Sequence, residues 1–91
     1  MVNISNWEAS QTATIAVTTT DKKQNFGGLC TGVVLSADAD CFVAFDENAD
    51  TGSLLIKGAT AAQAVHFPVK FTEVHAITAS GTANLYILAL R

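Results

Sequence analysis

The chain is predicted to be all-β: a single small antiparallel β-sandwich or jelly-roll-like domain with an extended N-terminal segment. Short segments rich in apolar and β-branched residues recur at roughly ten-residue spacing, as strands do in sandwiches. Turn signals rich in Gly, Asp and Asn separate these segments. The one stretch with helical propensity, residues 59–65, is too short for an independent helix. Ninety-one residues support one thin core of two packed layers, so we expect one domain over residues 1–91, with residues 1–12 as an N-terminal arm.

The predicted strands of the first half each have a recognisable pattern. Residues 13–19 alternate β-branched apolar residues with small or polar ones. Two apolar runs follow, at 29–36 and 41–47, on either side of the acidic sequence ADAD at 37–40. We predict that these two runs pair as a hairpin that turns at this acidic sequence.

The second half predicts further strands and a second hairpin. A short strand is expected at 53–58, and another at 65–74. Because Pro68 has no N–H to donate, the strand that contains it should lie at a sheet edge or begin late. The chain then turns at ASGT, residues 79–82, and we expect residues 83–90 to return as the second strand of a hairpin.

Composition excludes several functional classes. Charged residues make up 14% of the chain, against a typical quarter, and the net charge is −3. Five Lys and Arg residues cannot build the broad basic face that nucleic-acid binding needs. The N-terminus lacks the basic start and apolar core of a signal peptide, and the longest apolar runs fall far short of the ~20 residues that span a bilayer. We therefore expect synthesis in the cytoplasm, with no nucleic-acid or membrane partner.

The two cysteines, Cys30 and Cys41, are expected to be buried free thiols. In the first predicted hairpin they lie several residue pairs apart, too far for a bond that needs Cα atoms within about 7 Å. A free Cys in a cytosolic product behaves as a small apolar side chain.

No pattern in the sequence predicts catalysis, a cofactor, a metal site or a small-molecule substrate. His66 and His75 alternate with the apolar face of their strands, so we expect them at the surface or between subunits. Asp46, Asn48 and Asp50 are spaced like calcium ligands, but the Gly and Glu of a calcium-binding hand are missing from the positions that it requires. A solvated turn is the favoured reading, and a weak, irregular calcium site is the alternative.

Aromatic residues suggest one further alternative. Trp7 and Tyr86 could stack on sugars in a carbohydrate or cell-surface binding module. A lone Trp near an N-terminus more often fixes the terminal segment onto the core or onto a neighbour.

The segment from about residue 30 to residue 91 resembles small structural proteins of tailed bacteriophages. Four parts carry the resemblance: an aromatic-aliphatic strand that ends in an Asx-rich loop (CFVAFDENADTG), a SLLIKG strand, the segment VHFPVKFTEVHAITASG, and a closing LYILAL strand. The resemblance is to compact β-sandwich accessory proteins of the virion, among them head decoration or cement proteins, head fibres and tail-tip modules.

The resemblance implies a non-enzymatic structural protein of the virion. On this basis the chain would bind and stabilise the phage head lattice, its partner would be the major capsid protein or another virion protein, and it would form a homotrimer. A head fibre, spike base or tail-tip module is the alternative within the same group. The residues expected to contact the partner are Asn3, Trp7, Gln11, Phe26 and Tyr86.

Overall fold

The computed structural model describes residues 9–58 and 64–90. Most of the predicted arm and most of the stretch with helical propensity lie outside the described residues. The described residues form eight strands: β1 (Ala9–Val17), β2 (Lys22–Cys30), β3 (Gly32–Ala37), β4 (Cys41–Phe45), β5 (Leu54–Ile56), β6 (Val65–Phe67), β7 (Phe71–Ile77) and β8 (Ala83–Leu90).

The strands form two antiparallel four-stranded sheets that pack face to face. The first sheet has the order β1-β8-β3-β6 and the second the order β2-β7-β4-β5. Every consecutive pair of described strands except β4–β5 is split between the two sheets. This is the strand order of an eight-stranded jelly roll, and it confirms the predicted all-β sandwich.

The core lies between the sheets and follows the two-residue period of the strands. In β8, for example, Leu85, Ile87 and Ala89 are at most 3% exposed, whereas the intervening Tyr86 is 46% exposed. Aromatic rings of the second sheet pack together in the core: Phe71 of β7 lies edge-on to Phe26 of β2, with ring centroids 5.8 Å apart. These side chains form one contiguous apolar cluster that holds the two sheets together.

The first predicted hairpin is wrong. Its two strands, β3 and β4, belong to different sheets, and the acidic sequence between them is a corner. The Asp38 carboxylate accepts hydrogen bonds from the backbone and side-chain nitrogens of Asn84, at 2.7 and 2.9 Å. The Asp40 carboxylate accepts from the backbone of Gly58 at 2.7 Å. The acidic residues therefore attach the corner to β8 and to the segment after β5.

The second predicted hairpin is wrong for the same reason. β7 lies in the second sheet and β8 in the first, and residues 78–82 cross between them. The Thr78 hydroxyl donates to the carbonyl of Gly81, and the Thr78 N–H donates to the carbonyl of Thr18 at the end of β1. The single strand predicted at 65–74 is likewise two strands, β6 at the edge of the first sheet and β7 in the second, and Pro68 lies between them in neither strand.

Both cysteines are buried and neither forms a disulfide, as predicted. Cys41 is fully enclosed in the core, and burial raises the pKa of its thiol to about 11. Within the described residues, no helix has the length and hydropathy needed to cross a membrane.

Candidate functional site

The outward side of the first sheet is an uncharged surface, and we call it the outer face. Strand alternation points one set of side chains away from the core, and none of them belongs to Lys, Arg, Asp or Glu. The outer face consists of Thr12, Thr14 and Ala16 of β1, Asn84, Tyr86 and Leu88 of β8, Val34 and Ser36 of β3, and His66 of β6.

Tyr86 lies at the centre of this surface. The strand register places Thr14 on one side of it and Ser36 on the other. Leu88 lies one step further along β8, between Thr12 and Val34. Together they line a shallow depression of about 290 Å³.

The outer face has the chemistry of a contact surface. Its centre is apolar, while the Thr and Ser hydroxyls and the Tyr86 phenol can each donate and accept a hydrogen bond. Tyr is also enriched at the centres of protein interfaces because it buries a large area and keeps a polar tip. At one end the surface meets Asp38, which the Asn84 side chain holds in place and whose pKa is lowered by these bonds to Asn84.

The second sheet carries a different feature, a charged cluster around His75. This ring is 4% exposed and lies between two carboxylates. Its Nδ1 is 2.9 Å from Asp21 and its Nε2 is 3.0 Å from Glu73. Asp21 also accepts a hydrogen bond from the Ala49 backbone, so the cluster joins β7 to the β1–β2 and β4–β5 loops.

The two carboxylates determine the protonation state of His75. Burial opposes its charged form, but the hydrogen bonds to Asp21 and Glu73 outweigh that effect and raise the pKa of His75. The hydrogen bond from His75 in turn lowers the pKa of Glu73, and it lowers the pKa of Asp21 against the opposing effect of burial. Because both ring nitrogens are engaged, the imidazolium acts as a structural cross-link.

The surface position predicted for His75 is wrong, whereas His66 is exposed as expected. The strand alternation does turn His75 to the outward side of its sheet, where it pairs with Lys23 and Ala44. The bonds of Asp21 to His75 and to Ala49 bring two loops to this side of the sheet, which accounts for the burial.

The acidic loop after β4 uses its carboxylates internally. One oxygen of Asp46 accepts hydrogen bonds from the backbone and hydroxyl of Thr72 and from the backbone of Glu73, at 2.8 to 2.9 Å. Asp50 accepts from the backbone of Gly52 at 2.8 Å. Within the described residues, no group of His, Cys, Asp and Glu is arranged to hold a metal ion. These contacts favour the turn over the calcium alternative.

The residues predicted to contact a partner have different positions in the structure. Asn3 and Trp7 lie outside the described residues. Gln11 is exposed, but strand alternation places it on the core side of β1 together with Ala13, whereas Tyr86 is at the centre of the outer face. Phe26 is 2% exposed and packs on Phe71, so it is a core residue and is not available to a partner on this surface.

Sequence analysis missed the other members of the outer face. Thr12, Thr14, Ser36 and Leu88 alternate with core residues, and this signal was present in the sequence. Alternation alone did not show that these residues share a surface. They come together only through the pairing of β1, β8 and β3, which are far apart in the chain.

Comparison of the chain with protein-family models, with curated proteins and with solved structures finds no match.

Proposed function

We propose that the chain is a non-enzymatic structural protein of a bacteriophage virion, a decoration or cement protein that binds and stabilises the head lattice. The single observation that carries this proposal is the uncharged outer face centred on Tyr86. A decoration protein must present apolar and hydrogen-bonding surface to the lattice beneath it, and the outer face offers both.

Two further features support the proposal. Jelly rolls are common among viral capsid proteins, although the same fold also serves lectins and enzymes. The low fraction of charged residues is typical of a subunit whose exposed faces become buried on assembly. The sequence resemblance adds the expectation of a homotrimer.

Stabilisation of the head would follow from mass action. A protein that binds the assembled lattice and not the dissociated subunits lowers the free energy of the assembled state, by an amount that grows with its concentration relative to Kd. This role requires no catalytic residue and no cofactor.

The proposal is tested by cosedimentation with expanded phage heads that lack their decoration protein. Tyr86→Ser should weaken binding by about 2 kcal/mol, roughly thirtyfold in Kd, because Tyr at an interface centre is a frequent hot spot. Leu29→Ser is the matched control, since Leu29 is an exposed apolar residue of the second sheet, 57% exposed. Absence of binding by the unmodified protein, or equal losses in both variants, would overturn the proposal.

A carbohydrate-binding module is the second candidate, and one observation favours it. Tyr86 is an exposed ring flanked by the hydroxyls of Thr14 and Ser36, an arrangement in which a sugar could stack and hydrogen-bond. The two candidates differ in the ligand: saturable binding to a glycan array, abolished by Tyr86→Ser, would favour the binding module.

A further inference from the structure

One edge of the first sheet is a long strand whose outer side pairs with no other described strand. β1 is nine residues long, and within the described part of the chain it pairs only with β8. The backbone N–H and C=O groups on the opposite side of such a strand can pair with a further strand.

The other three edge strands carry the features that discourage pairing. β6 is three residues long and is followed by Pro68. β5 is also three residues long and is followed by Lys57. β2 begins with two lysines, and its register is broken between Asn25 and Cys30. Short length, Lys, Pro and bulges are the usual means of preventing edge-to-edge association.

β1 has almost none of these features. Its sequence, ASQTATIAV, contains no Lys, Arg, Asp, Glu or Pro, and its one register irregularity lies at its first residues, between Ala9 and Gln11. From Gln11 to Val17 the pairing with β8 is continuous. The contrast with the three protected edges indicates that an open β1 edge is tolerated because it is covered by a partner.

We propose that this partner is a second copy of the chain, whose β1 pairs antiparallel with the first about a two-fold axis. Self-pairing of a strand whose charges share one sign brings like charges together across the contact, and β1, which is uncharged along its whole length, carries no such repulsion. The pairing would join two four-stranded sheets into one sheet of eight.

The register that we infer is centred on Ala13. It places Thr12 of each copy opposite Thr14 of the other on the outer face, and Thr–Thr pairs across antiparallel strands are favourable. The outer faces of the two copies then form one continuous surface with two Tyr86 side chains. This inference is independent of the proposed function, because it concerns the edge of the sheet and not the ligand of its face.

Sedimentation equilibrium or light scattering tests the pairing over a concentration range from about 1 μM to about 1 mM. The mass should double with concentration, from 9.5 kDa to about 19 kDa if the unit is a single chain, or from about 28 to about 57 kDa if it is the trimer. The mass at low concentration tests the proposed homotrimer, and the increase of mass with concentration tests the pairing of β1. Either proposal can therefore fail without the other.

Charge variants of β1 identify the edge. Like charges face one another in each of two double variants, Thr12→Lys/Thr14→Lys and Thr12→Asp/Thr14→Asp. Each variant should raise the dissociation constant of the pairing tenfold or more. Both residues are exposed, so the variants should fold. An equimolar mixture of the two variants should restore doubling, because Lys then faces Asp.

Ser36→Lys is the matched control. Ser36 flanks Tyr86 on the side opposite to Thr14, on the same outer face but away from the edge. If the copies associate through the β1 edge, the mass of Ser36→Lys should double like that of the unmodified protein. If they associate by stacking their outer faces, Ser36→Lys should disrupt the association. No doubling at any concentration, doubling in the β1 variants, or loss of doubling in Ser36→Lys would each overturn the proposal.

Discussion

His75 is held by two carboxylates, and this arrangement requires a charged ring. Each carboxylate can only accept a hydrogen bond when ionised, so both ring nitrogens must carry a proton. Lys23, 3.7 Å from Glu73, adds a second positive charge to the cluster. With Asp21 and Glu73 ionised, both hydrogen bonds are therefore kept only while His75 is protonated.

The stability of the protein should depend on pH through this cluster. The raised pKa of His75 contributes stability that is complete below the unfolded value of about 6.5 and is lost as pH rises through the folded value. The lowered pKa values of Asp21 and Glu73 contribute stability above their unfolded values of about 4, which is lost at lower pH. We expect maximal stability between about pH 4.5 and pH 6.5 and a decline from there to pH 8, measured by urea unfolding.

Two variants connect that decline to His75. His75→Gln should remove most of the pH dependence between about pH 6.5 and pH 8. This range ends below the ordinary Cys pKa of about 8.5, which keeps the ionisation of Cys41 in the unfolded chain a minor contribution. His66→Gln, on exposed β6, should preserve it. An unchanged decline in His75→Gln would show that another group is responsible.

Most strands could be predicted from the sequence, but β2, which begins in the polar residues 20–25 that are typical of a loop, and the connections between strands could not. Apolar runs separated by turn residues identified β3, β4, β7 and β8, since each strand alternates whichever sheet it joins. The same pattern cannot distinguish a turn within a sheet from a corner between sheets, because both need a short polar segment. Asp38 could be recognised as a corner residue only once its partner, Asn84, was known to lie beside it.

The β3–β4 corner depends on a glycine elsewhere in the chain. A Cβ added to Gly58 would lie 2.6 Å from the Ala39 carbonyl carbon and 2.7 Å from its nitrogen, so the two segments can touch only without a side chain. Gly58→Ala should lower the free energy of unfolding by about 1–3 kcal/mol, since backbone must move to relieve the overlap. Chemical denaturation followed by circular dichroism measures this.

Gly32 provides the comparison for that substitution. A Cβ there would lie 3.4 Å from the His66 Nε2 and the Leu90 Cδ1 and 3.7 Å from the Leu90 Cβ, which is ordinary contact with side chains and not with backbone. Gly32→Ala should therefore change stability by less than about 1 kcal/mol, in either direction. Equal losses of stability in the two variants would mean that the close contact of Gly58 with Ala39 is not the cause of the loss in Gly58→Ala.

At the scale of the whole molecule, the sequence predicted the two layers and part of the candidate site. Short β-rich segments at regular spacing, with turn residues between them, were sufficient for a sandwich, and exposure of Tyr86 was consistent with its predicted role in contacts. The prediction of Phe26 as a contact residue failed because an aromatic ring fits a core as well as an interface. Only the pairing of distant strands shows whether such a ring lies in the core or at an interface.

Distant pairing should also make folding slow. β1 pairs with β8, so that Ala9 lies opposite Leu90, and β4–β5 is the one pair of consecutive described strands that lies within a sheet. Almost no sheet can therefore form from a local hairpin, and long loops must close before most contacts are made. Domains with such topology fold in about 1 ms to 1 s, slower than helical bundles of similar size.

We therefore expect the refolding rate, measured by stopped-flow circular dichroism after dilution from urea, to lie in this range. Leu85→Ala in β8, which pairs with both β1 and β3, should lower stability by about 2–5 kcal/mol, because Leu85 is fully buried. If β8 joins the first sheet before the rate-limiting step, most of this loss appears as slower refolding; if it joins afterwards, the loss appears as faster unfolding. Refolding faster than about 100 μs would contradict the topology, because that speed requires contacts that are mostly local.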